Sequence, residues 1–246
     1  MNKEELKEIL DLHRKWLFNI DGGKRADLSS ADLSSSDLRS ANLRYANLRS
    51  ADLRSANLRY ADLSSANLRY ADLISADLSS ADLSSADLSF ANLSSSDLRS
   101  ANLRSANLSS ADLSSANLRY ANLRSADLSS ADLRYADLSS ADLSSANLRY
   151  ADLSSADLRS ANLSSAYLSS SDLRSAKTDK RYIQVSCIGS RKDMTTYCFE
   201  DDLIICGCFK GTLKEFKEKV LETYPDKKSQ YHKEYLGFIK YLEGLK

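Results

Sequence analysis

The chain has 246 residues, enough for one or two domains with a sizeable core. Its 34 basic side chains balance 34 acidic ones, which argues against a general polyanion binder and against a strongly acidic DNA mimic. Seven Gly and one Pro exclude collagen and Gly/Pro-type disorder, and four Cys are too few for a disulfide scaffold.

The first residues, MNKEELKEIL, are charged and carry no apolar h-region, so no secretory signal is expected. No apolar run approaches the roughly 20 residues of a membrane span. Reduced thiols and a cytoplasmic location follow as expectations, through recombinant expression if the chain is synthetic. Residues 3–18 place Leu6, Ile9, Leu10, Leu12, Trp16 and Leu17 at spacings that suit an amphipathic helix. Gly22-Gly23 should end it, so residues 1–25 read as a helical N-terminal cap.

From Ala26 to Ser175 the chain reads A-(D/N)-L-x-x without a break, which is 30 units of five. Leu fills the third place in all 30. Ala fills the first in 27, with Ser36, Ser96 and Ser171 as exceptions, and Tyr167 is the one departure from Asp or Asn in the second. A period of five suits neither a helix nor a flat strand, because both would spread Leu over every face. A coil that turns one corner per unit keeps Leu and the preceding Ala inside. Four sides then close a coil of 20 residues. The expected core therefore includes Ala26, Leu28, Leu33, Leu38, Leu43, Ala46, Leu48, Ala66, Leu78, Leu98, Leu118, Leu138 and Leu158. Asp and Asn in the second place can hydrogen-bond local backbone at the corners.

These 150 residues resemble the pentapeptide-repeat family. The resemblance implies a right-handed quadrilateral β-helix, a mainly β solenoid of about 7.5 coils. At about 4.8 Å per coil the rod would be roughly 36 Å long. Natural members often carry Gly in the fifth place, and this block carries none. Its corners are therefore expected to avoid positive φ, which Ser, Tyr and Arg resist. So little drift among repeats reads as a consensus-designed solenoid, with a recently duplicated natural repeat as the alternative.

Residues 177–246 change composition sharply and read as a strand-and-helix C-terminal cap. Strands are expected over Tyr182–Ile188, Met194–Glu200 and Leu203–Phe209. Thr212-Leu-Lys-Glu215 is a capping box opening a helix to about Thr223. Ser229 should cap a last helix with Tyr231, Tyr235, Leu236, Phe238, Ile239, Leu242 and Leu245 on one face. That helix is a candidate homodimer surface.

Little of this carries chemistry. Cys187, Cys198, Cys206 and Cys208 match no standard zinc spacing, and C-x-C is tighter than usual, so inert thiols are expected. His13 and His232 should lie on helix surfaces. The block holds no His, Cys or Lys, so its Ser cannot find a base within it. Outward rows of Asp have nothing to bury them as acid and base. No catalysis, metal or cofactor is expected.

Arg39, Arg59, Arg99, Arg119 and Arg159 share one column beside acidic residues. Fourteen Arg against 18 Asp favour ion pairing over nucleic-acid binding. Tyr70 and Phe90 should stack in adjacent coils, with Ile74 at the next side. This patch reads as an engineered contact or as tolerated surface changes, and a minor packing role is the preferred reading. The leading functional reading is an inert structural scaffold that requires no partner. The alternative, implied by the resemblance alone, is a DNA-mimicking protein that binds DNA gyrase and confers fluoroquinolone resistance.

Overall fold

The computed structural model describes residues 1–179, 182–185 (backbone), 195–199, 201–207 and 209–244. Helix α1 spans Lys3–Leu17. Asn2 accepts from the Glu5 N–H while the Glu5 carboxylate accepts from the Asn2 N–H, a capping box not anticipated above. Arg14 and Lys15 in the last turn suit the helix dipole. The helix stops before the glycine pair, with Asn19 at φ 52°. Gly22 and Gly23 then turn the chain back along α1. A Cβ on Gly23 would sit 2.3 Å from the Trp16 backbone nitrogen, so only glycine fits there. Leu6, Ile9 and Leu10 pack half-buried on the repeat core.

The repeat coils with a strict 20-residue register. Parallel bridges run without interruption from Asp27↔Asn47 to Asp157↔Lys177. Unit Ala106–Ser110 shows where the backbone donors go. Ala106 N–H closes a turn on the Leu103 carbonyl at 3.0 Å. Asn107 N–H donates to Ala86 of the preceding coil at 2.9 Å, and Leu108 and Ser110 N–H donate to Asp127 and Ser129 of the next at 2.7 and 2.9 Å. Ser109 N–H reaches the Asn107 Oδ1 at 3.1 Å. All five N–H groups of the unit are thereby satisfied. The second place must supply a side-chain acceptor because the fourth N–H has no backbone partner.

The corners overturn one expectation. All 30 fifth-place residues, whether Ser, Tyr or Phe, have φ between 54° and 61°. Each is the third residue of a Leu-x-x-Ala turn, and with positive φ at that residue alone the turn is type II. The fifth N–H must point at the next coil, and that requirement overrides the local preference against the left-handed region.

The interior is Leu on Ala. Every core residue named from the sequence, from Ala26 to Leu158, is at most 3% exposed. Where Ser replaces Ala, Ser96 and Ser171 donate to the Leu93 and Leu168 carbonyls at 2.7 Å.

Beyond the repeat, β1 (Tyr182–Val185), β2 (Thr195–Cys198), β3 (Leu203–Cys206) and β4 (Phe209–Gly211) form an antiparallel meander in chain order. The segment Leu203–Phe209 is therefore not one strand. It turns at Gly207 (φ 57°), and Cys206 pairs with Phe209 across a two-residue loop. Ile188, Met194 and Glu200 lie outside the described residues. Sheet alternation sorts β3. Leu203 and Ile205 join the solenoid core, while Ile204 faces α2 (Leu213–Thr223) and α3 (Gln230–Glu243). The Thr212–Glu215 capping box forms as read. Ser229 occupies the N-cap of α3 but makes no side-chain cap bond. Tyr235, Phe238, Ile239 and Leu242 are buried, Tyr231 is exposed, and Leu245 lies outside the described residues.

Candidate functional site

The long faces of the coil present the second, fourth and fifth places. A second-place Asp gives the Arg two residues on a local partner, and Arg54 and Arg134 also reach Asp72 and Asp152 of the next coil at 3.7 and 3.9 Å. In D-L-R units the guanidinium folds onto its own carboxylate. Arg39–Asp37, Arg54–Asp52, Arg99–Asp97, Arg134–Asp132, Arg159–Asp157 and Arg174–Asp172 approach to 2.5–2.6 Å. In N-L-R units the charge has no local partner, and Arg44, Arg59, Arg69 and Arg119 reach Asp62, Asp77, Asp87 and Asp137 of the next coil at 3.7–3.9 Å. Each of these four also lies over the Tyr that follows it, 5.2–5.4 Å from the ring centre. The Arg column is thus an ion-pair lattice. Hydrogen bonds from Arg134 and Arg159 hold the Asp132 and Asp157 carboxyls below the usual carboxylate range, against the opposing effect of burial. The Ser29 hydroxyl and N–H do the same for Asp27. Carboxylates held ionised in this way are poor general acids.

The Tyr70 and Phe90 rings stack at 5.2 Å and 16°. Arg69 lies 5.2 Å from the Tyr70 ring and 5.8 Å from Phe90, and Arg49 covers Tyr70 at 5.8 Å. Ile74 is half-buried on the adjoining side. At the far end, a crevice of about 310 Å3 separates the last coils from the small sheet, lined by Leu163, Leu168, Thr196, Cys198, Leu203 and Ile205 among others. Lys210 bridges the two parts, with Nζ 3.5 Å from the Ala166 carbonyl and 5.9 Å from the Tyr167 ring centre. Burial lowers the Lys210 pKa.

Both histidines are buried, contrary to the surface placement expected of them. His13 Nδ1 accepts from the Ala26 N–H at 3.1 Å. The His232 ring contacts the Tyr224 carbonyl through Nδ1 at 2.6 Å. The missed signal for His13 was spacing, since it falls on the stripe Leu6, Ile9, Leu10, Leu17. Cys198 is buried and Cys206 half-buried, at opposite ends of the β2–β3 pair. Their sulfurs contact Asp201 at 3.5 Å and Thr195 at 3.1 Å. Cys187 and Cys208 lie outside the described residues. Among the described residues no group of His, Cys, Asp or Glu is arranged to hold a metal ion. No helix among them is long and apolar enough to cross a membrane.

The model of the Pentapeptide family, pentapeptide repeats in 8 copies, matches residues 24–59, 61–99, 96–134 and 136–174. The chain belongs to this family. Membership implies a right-handed quadrilateral β-helix, the form that the 20-residue register traces. Similar solved structures include HetL, a pentapeptide-repeat protein involved in heterocyst differentiation regulation from the cyanobacterium Nostoc sp. strain PCC 7120. It is 32% identical over 72% of this chain and 94% of that one, with a TM-score of 0.27. QnrB1, a plasmid-mediated fluoroquinolone resistance protein, is 19% identical over 63% and 87%, with a TM-score of 0.45. A pentapeptide-repeat protein of the Arabidopsis thaliana thylakoid lumen is 34% identical over 45% and 70%, with a TM-score of 0.26. No curated protein matches the chain. Pentapeptide-repeat proteins are generally structural or protein-interaction proteins, not enzymes.

Proposed function

We propose that this pentapeptide-repeat chain is a structural β-solenoid scaffold of about 7.5 coils, consensus-built and without catalytic chemistry. In this reading α1 and the segment after residue 176 cover its two ends. The unbroken 20-residue register carries the reading. Each coil satisfies its backbone on its two neighbours alone, so a coil is a modular part. Uniform Leu and Ala in the core, with no loop between Ala26 and Ser175, favour a designed repeat over a duplicated natural one. The covered ends follow a physical need, because an open solenoid edge is a template for assembly. Gyrase binding has weaker support. A 19% likeness to QnrB1 speaks to fold alone, and the Asp rows are interleaved with paired Arg.

Deleting residues 96–115 removes one whole coil and tests the scaffold reading. The shortened chain is expected to keep its β-type circular dichroism and a cooperative melt. A chain that no longer folds would overturn modularity. A DNA gyrase supercoiling assay, with the protein titrated through the micromolar range, is expected to show no inhibition. Inhibition would replace the scaffold reading by the DNA-mimic one.

A further inference from the structure

We propose that His13 is a proton-sensitive latch that holds α1 on the edge of the first coil and releases it when its imidazole is protonated. The imidazole is fully buried. Its Nδ1 accepts from the Ala26 N–H at 3.1 Å. In later units the first-place N–H donates to the preceding Leu carbonyl, as Ala31 does to Leu28. Ala26 opens the repeat, and its N–H makes no such turn bond to the carbonyl of Gly23, three residues before it. His13 fills that vacancy, so the backbone accounting of the first coil is completed from α1. The bond requires an unprotonated Nδ1 and places the ring proton on Nε2. Nε2 is buried, faces the Arg44 carbonyl and closes no hydrogen bond.

Protonation turns the acceptor into a donor and sets N–H against N–H. It also buries a cation beside Arg25. The Arg44 side chain is itself a cation, paired with Asp62 at 3.7 Å, and supplies no counter-charge. On α1 itself, Arg14 and Lys15 are exposed cations, and Asp11 is exposed to solvent. Two contacts favour the imidazolium, the Arg44 carbonyl that Nε2 faces and the Trp16 ring stacked at 5.6 Å. They oppose burial, the lost acceptor and Arg25, and burial is the largest of these effects. The remaining polar ties of α1 to the coil are few. The Met1 amine donates to the Asp32 carbonyl at 3.1 Å, and the Lys24 N–H donates to the Leu12 carbonyl. Releasing α1 exposes the edge on which Asp32, Asp37 and Asn42 have no preceding coil to donate to.

The full chain has one Trp and two His, which makes the test direct. Hydrogen exchange gives α1 protection factors and NMR gives the His13 titration, both between about pH 7 and about pH 5. Trp16 emission supplies a second reading of α1. Protection of α1 is expected to fall by about tenfold or more across that range, in step with His13 protonation, while Leu108 and Leu118 amides stay protected. His13→Asn keeps an acceptor for Ala26 but cannot titrate, and is expected to hold α1 at the lower pH. If α1 stays protected while His13 protonates, or if His13→Asn loses α1 with the same pH profile, the latch is refuted. Should His13→Asn fail to seat α1 at neutral pH, the wild-type comparison decides. Coincident midpoints support the latch and separated ones overturn it.

Discussion

The corners make the sharpest prediction, because serines in the fourth and fifth places of the repeat should answer the same substitution with opposite sign. Ser105 occupies a fifth place at φ 58° with its side chain exposed and its N–H bound to the Arg124 carbonyl at 3.0 Å. An L-residue in the left-handed region costs roughly 1–2 kcal/mol. Ser105→Gly removes that strain but loosens the unfolded chain by about 0.4–1 kcal/mol. The net expectation is a stabilisation of roughly 0.5–1 kcal/mol. Ser105→Val should destabilise by about 1 kcal/mol or more, since a β-branched residue resists the region most. Ser129 occupies a fourth place outside the left-handed region, so Ser129→Gly offers no relief and should cost about 0.5–1 kcal/mol. Urea unfolding monitored by circular dichroism reads all three as shifts in midpoint at constant slope. A destabilised Ser105→Gly, or a neutral Ser105→Val, would refute the account of the corners as strained positions held by coil stacking.

Other expectations follow from the same accounting. Leu118→Ala empties a fully buried layer and should cost about 2–5 kcal/mol by urea midpoint, with a value under 1 kcal/mol marking a core that collapses around the gap. Asp112→Ala strands the Ser114 N–H, now 2.9 Å from Oδ1, and should cost about 1–2 kcal/mol, whereas Asp112→Asn should be near neutral; equal losses would show that charge and not the acceptor matters. Asp27, Asp142 and Asp157 ionise more readily folded than unfolded, so the unfolded chain binds more protons in acid. Stability should therefore be fully present above about pH 4 and decline below it, and a urea midpoint that stays flat or rises from about pH 5 to about pH 3 would contradict the assignment.

The interior was legible from the sequence because a period of five leaves only one way to bury every Leu. The Asx role of the second place was legible too, since a short carboxylate or amide next to a turn has few other uses. The left-handed corners were not legible. Ser and Tyr disfavour that conformation locally, and only the demand of stacked coils, a long-range effect, imposes it. His13 was misread for a different reason: polarity was allowed to outweigh phase, although its spacing from Ile9, Leu10 and Leu17 put it on the buried stripe. The strand over Leu203–Phe209 failed at Gly207, whose freedom permits a hairpin where the flanking apolar run suggested continuity. The Tyr70–Phe90 stack came directly from their separation of 20 residues.

The uniform Leu axis also has a kinetic meaning. Coils with the same inner residues carry no label that tells one neighbour from another, so a coil could seat on the next-but-one and leave 20 residues looped out at little loss of contact in the core. The distinguishing information then sits outside, in cross-coil contacts such as Arg44 to Asp62 and the Asn102 amide to Asp82 at 3.0 Å, and at the two unlike ends. Refolding should show mis-threaded intermediates whose correction is slower than coil closure. A chain with its surface letters made identical should collect more of them, although its folded interior would be unchanged.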